Sequence, residues 1–128
     1  MNSIRYIDLS FVDSLNLFFK ALSIVTEALI DEECKFGLDI KVRHSILKQL
    51  TEGEVVELVF DVVYYIEEGD IRLDVLKECY DQIESLMRKD KHTRIIDFSL
   101  SLKDSHIKLK VSVVAPIITR PHENFNES

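Results

Sequence analysis

The sequence is poor in the features that usually make chemistry legible. Its three glycines, Gly37, Gly53 and Gly69, stand alone, so no loop is glycine-rich enough to cradle a phosphate on backbone amides. Cys34 and Cys79 are the only cysteines, too few for a disulfide framework. With no signal-like opening segment they are expected to be reduced thiols in a cytoplasmic protein. The histidines His44, His92, His106 and His122 include no i, i+4 pair, and neither cysteine has a close companion, so no metal site is predicted. No serine lies in a Gly-x-Ser-x-Gly elbow. The densest apolar run, Val55 to Ile66, is broken by Glu57 and Asp61 and is too short to span a bilayer.

The formal net charge is -7. It argues against nucleic acid or an anionic membrane as partner, because both reward a positive protein. The one basic cluster, Arg88 to Arg94, sits where a helix ends, and a helix dipole favours cations there. It has no interleaved aromatics for base stacking. No catalytic residue and no cofactor is predicted, and an enzyme is not expected.

What is present is hydrophobic patterning over a length suited to one domain. Ser10 to Glu33 reads as a helix with Ser10 as its N-cap. Phe11, Leu15, Phe18, Leu22, Val25 and Leu29 recur at steps of four and three, which keeps them on one face. A second row, Leu17, Ala21, Ile24 and Ala28, runs about 100° round the cylinder. Such a helix is expected to be covered from two directions, by its own sheet and by a second helix or another chain. The acidic run Asp31 to Glu33 opposes the dipole at its end, so packing is expected to hold it.

Other segments change period. Lys35 to Arg43 alternates as a strand with one dry and one wet face, and Ser45 to Gly53 reads as a connection with a helical turn at Ile46 to Leu50. Glu54 to Glu67 fits a strand better than a helix, since it is rich in valine and aromatics. A second helix is expected to about Lys89, capped by Asp70 or Asp74, with Leu73, Leu76, Tyr80, Ile83 and Met87 inside and Cys79 near that stripe. Arg94 to Ala115 reads as a hairpin. Ile4 and Tyr6 suit a brief edge strand before the first helix.

The predicted fold is α+β, with order α-β-β-α-β-β: a four-stranded antiparallel sheet with both helices on one face. Residues 1–116 form the domain and 117–128 a flexible tail. The helix followed by Lys-Phe-Gly-Leu-Asp-Ile (Lys35 to Ile40) resembles the small adaptor domains found beside trypsin-like proteases in bacterial conflict systems. The resemblance covers that one segment, the later helix and hairpin depart from it, and it implies no function here.

On these grounds the chain reads as a non-enzymatic protein-protein interaction module that self-associates through its first helix. The candidate contact residues are Leu17, Ala21, Ile24 and Ala28 on the helix, with Lys41, Arg43, Glu57 and Asp61 on the wet sheet face. The same charges also suit plain cross-strand pairing. Two alternatives stay open. One is a small acidic inhibitor or immunity-type protein that blocks an enzyme. The other is a ligand binder or enzyme with Tyr64, Tyr80, Cys79 and His44 around a pocket between helices and sheet.

Overall fold

A computed structural model of the chain describes residues 3–7, 9–101 and 103–121. The chain forms β1 (Ser3–Ile7), α1 (Leu9–Asp31), β2 (Lys35–Leu50), β3 (Gly53–Glu68), α2 (Leu73–Met87), β4 (Thr93–Ser101) and β5 (His106–Pro121). The fold is the α+β arrangement expected, with two helices against an antiparallel sheet, to which β1 adds a short strand. β5 lies between β3 on one side and β4 and β1 on the other, and β2 is the outermost strand beyond β3.

The core forms where the dry sides of β3 and β5 meet α1. Cross-strand rows put Tyr64 opposite Ile107, Val62 opposite Leu109 and Phe60 opposite Val111, and all six are buried. Phe18 of α1 stacks on Phe60 with ring centroids 4.3 Å apart. The Tyr64 hydroxyl donates to the Leu22 carbonyl at 3.0 Å, and its oxygen lies 3.0 Å from the Thr26 hydroxyl. A buried tyrosine needs such partners, and these anchor α1 over β3. On α2 the buried stripe is Leu76, Cys79, Ile83 and Met87. Tyr80 packs near Phe98 with centroids 5.7 Å apart, which sets α2 over β4. Phe98 shares a row with Leu109 and Val62, so both helices lie on one face.

Several boundaries differ from the sequence reading. β2 runs to Leu50, so the stretch read as connection and helical turn is strand, with a register shift between Ile46 and Lys48. That bulge breaks the alternation that would have revealed it. β5 continues past Pro116 because β1 pairs with Ile117 to Pro121. The expected tail from residue 117 is therefore strand as far as Pro121, and its remainder, 122–128, lies outside the described residues. Ser10 stands inside the first turn of α1, which begins at Leu9. Arg72, not an aspartate, occupies the N-cap of α2, with no side-chain cap bond. Ile71 and Leu76, at the two positions of a hydrophobic staple, are both buried. Leu73 is exposed, and Cys79 takes an inside position instead.

The end of α1 is also better closed than its acidic run suggested. Cys34 N–H donates to the Leu29 carbonyl at 2.9 Å and Glu33 N–H to Ile30 at 3.0 Å, with Glu33 at φ 57°. These bonds form a Schellman motif whose left-handed position is held by glutamate, where glycine is the unstrained choice. At the first residue of β3, a Cβ on Gly53 would stand 2.1 Å from the Ile117 carbonyl oxygen, so the two strands meet there only because that residue has none.

Replacing Glu33 by glycine removes both the left-handed strain and a negative charge at the helix's negative end. We expect Glu33→Gly to raise stability by about 0.5–1 kcal/mol, read as a higher urea midpoint with an unchanged slope.

Candidate functional site

The helix row expected to meet a partner is the one that α2 covers. Ala21 is fully buried, and Leu17, Ile24 and Ala28 are partly buried against the core. Cys79 Sγ of α2 lies 4.0 Å from the Ile24 carbonyl. A groove of about 330 Å³ between the helices is lined by Ile24, Ala28 and Cys79 with Arg72 at its rim.

The surplus apolar surface lies on the other flank. Val12, Phe19 and Ile30 of α1 are exposed, Phe19 to 55% and Ile30 to 59%. This flank is the one turned toward β2, because Thr26 and Leu22 on the same side reach Tyr64 of β3. Beside it, the dry side of β2 continues the core rows outward: Leu38 follows Tyr64, Ile40 follows Val62 and Val42 follows Phe60. Yet Leu38, Ile40 and Val42 are exposed to 46%, 40% and 55%. The helices stop one strand short, and a strip of apolar side chains is left uncovered. Beyond His44, Ile46 extends it along the strand, opposite the buried Val56.

On the opposite face the charges fall into an ordered row. Lys41, Asp61, Lys110 and Asp97 stand opposite one another on β2, β3, β5 and β4, alternating in sign across four strands. Asp61 binds Lys110 at 3.3 Å and, diagonally, Arg43 at 3.1 Å. Glu57 sits elsewhere, accepting a 2.6 Å hydrogen bond from Ser112. Of the four charged candidates, the structure thus groups Lys41, Arg43 and Asp61 and sets Glu57 apart. A shallow groove of about 360 Å³ runs along this row between Asp39 and Lys108.

The four residues read as a possible pocket are not brought together around one cavity, although Tyr64 and Cys79 come near each other. Tyr64 is sealed under α1, His44 is exposed on β2, and Tyr80 lies over β4. Burial, with Thr26 opposing and Cys79 adding, raises the Tyr64 pKa above its ordinary value. The Cys34 thiol is likewise raised, by burial and then by Glu32 and Asp70, and the Cys79 thiol by burial and then Glu78. Both thiols are thereby kept protonated at neutral pH, which makes them poor nucleophiles.

A polar cluster escaped the sequence reading. Asp90, between α2 and β4, accepts hydrogen bonds from Ser14 Oγ of α1 at 2.5 Å, from Thr93 Oγ1 at 2.8 Å and from His92 N–H at 2.8 Å. The last bond is an Asx turn, a signal that Asp90-x-His92 carries locally. Ser14 is seventy-six positions away, and nothing local points to it. The cluster acts as a structural tie between α1 and the start of β4. Comparison with known protein families and with curated proteins finds no match for this chain.

Partial burial would raise the Asp90 pKa, but the bonds from Ser14, His92 and Thr93, with the nearby His92 ring, outweigh it and hold the carboxyl below 3.8. A folded-state value below the unfolded one contributes stability at pH above the unfolded value, and loses it as pH falls through the folded value. Asp90→Asn should therefore cost roughly 1–2 kcal/mol near neutrality, toward the low end because the carboxylate is partly open to water. The gap to the natural protein should close as pH drops below 3.8, measured by urea unfolding at a series of pH values.

Proposed function

We propose that this protein is a non-enzymatic protein-protein interaction module that self-associates. The single observation behind this reading is the uncovered strip formed by Leu38, Ile40 and Val42 with the adjoining α1 flank of Phe19 and Ile30. Contiguous apolar surface of this kind on a small domain marks a contact site, and a symmetric pair buries the same strip twice. The reading keeps the sequence's conclusion that α1 has more apolar surface than one chain hides. It moves the contact from the Leu17–Ala28 row to the opposite flank.

Other observations fit a protein partner. No helix among the described residues is long and apolar enough to cross a membrane, and the charge of -7 disfavours polyanions. Two buried free cysteines suit a reducing, cytoplasmic setting.

In solution at tens of micromolar, sedimentation equilibrium should give twice the chain mass. Val42→Asp and Phe19→Asp each place a charge in the strip at an exposed side chain, and each should shift the mass to that of one chain. Asp81→Lys, on the exposed side of α2 away from the strip, should leave it unchanged. A single-chain mass for the natural protein at these concentrations would refute self-association.

A further inference from the structure

We infer that the second copy docks by antiparallel pairing of β2 with β2, centred on Ile40, so that the two sheets join into one. This rests on the self-association proposed above and specifies its surface and register.

β2 is an outermost strand of sixteen residues, and from Phe36 to Ile46 its pairing to β3 is regular. An edge so long, regular and apolar is a ready template for another strand. Side chains alternate between faces, so a symmetric antiparallel pair keeps dry sides together when a residue lies opposite its own copy. Each such register sets a different charge pattern. Centring on Asp39 or Lys41 sets like charges against each other, and centring on Val42 sets Lys41 against Arg43. Centring on Leu38 shortens the pairing, because the register shift at Lys35/Phe36 interrupts it.

Centring on Ile40 matches both the apolar and the charged positions next to the axis. Leu38 falls opposite Val42 of the second copy, and Ile40 opposite Ile40, so the uncovered columns meet. Asp39 falls opposite Lys41 of the second copy, and by symmetry the pair forms twice. Among the described residues neither Asp39 nor Lys41 has an ion-pair partner within its own chain. The strand's other basic residues beside them are already neutralised, Arg43 by Asp61 and Lys35 by Glu68. The alternating row Asp97, Lys110, Asp61, Lys41 then gains an acid, Asp39 of the second copy, as its next member.

The symmetry axis of such a pair stands perpendicular to the sheet, so both helix layers lie on the same face. Phe19 and Ile30 of each copy then border the seam from either side, and the joined strips form the floor of a groove walled by the two α1 helices.

Three measurements on the full chain test this. Ile40→Cys should form a disulfide-linked dimer under mild oxidation, since residues directly opposite in antiparallel strands lie within disulfide reach. His44→Cys, which falls opposite Phe36, should not. Asp39→Lys should weaken the dimer at least about tenfold by creating two repulsive pairs, and Asp39→Lys/Lys41→Asp should restore it. Circular dichroism checks that each variant is folded. A dimer in which Ile40→Cys fails to cross-link and Asp39→Lys leaves the affinity unchanged would overturn this register while leaving self-association standing. A natural protein that sediments as one chain would overturn both.

Discussion

Two packed helices can shade only about three strands. Strands lie about 4.8 Å apart and packed helix axes about 8–10 Å apart, so a helix pair spans roughly two strand spacings. Here α1 and α2 take β3, β5 and β4, and β2 is left outside. The residue types do not change at that boundary. Val62 and Leu109 are buried, while Ile40 in the same row is exposed. Column, not composition, decides which side chain joins the core.

Polar ties fix where the helices stand. Tyr64 holds the Leu22 carbonyl and meets Thr26; Asp90 holds Ser14. Sliding α1 outward over β2 would strip the Tyr64 hydroxyl of its partners Leu22 and Thr26 in a dry interior, a loss of about 1–3 kcal/mol for a buried group left unpaired. Covering Leu38, Ile40 and Val42 is worth a comparable amount per side chain, but the same shift would also uncover the row that faces α2. The overhang is therefore a consequence of how the core is pinned, not of a short helix.

The parts of the fold that sequence made legible are those governed by local period. Lys35 to Arg43, Asp97 to Ser101 and Ile107 to Val113 alternate cleanly, and each is a strand. The two rows on α1 correctly implied two covers, but spacing cannot say which neighbour meets which row. The illegible parts depend on distant partners. Ile117 to Pro121 is strand because β1, from the far end of the chain, pairs with it. Ile46 to Leu50 is strand because β3 pairs with it across a bulge. The wet-face charges were readable as a set, and cross-strand register gave them their order: Asp61 sits between Lys41 and Lys110.

The two edges of the sheet are handled differently, and the contrast bears on the proposed contact. β4 is short, and its pairing shifts between Ile95 and Asp97, a bulge of the kind that blunts an edge against further strands. The other stretch of that side is occupied by β1. β2 is nearly twice as long, holds its only mid-strand shift near the far end, and carries no proline. Its charges do not repel a copy of itself either. Lysines alone along an edge would discourage pairing, whereas an acid and a base two residues apart, flanking Ile40, attract when the strand is reversed. A chain that blunts one edge while leaving the other regular, apolar and self-complementary in charge has the physical features of an edge that is met by its own kind.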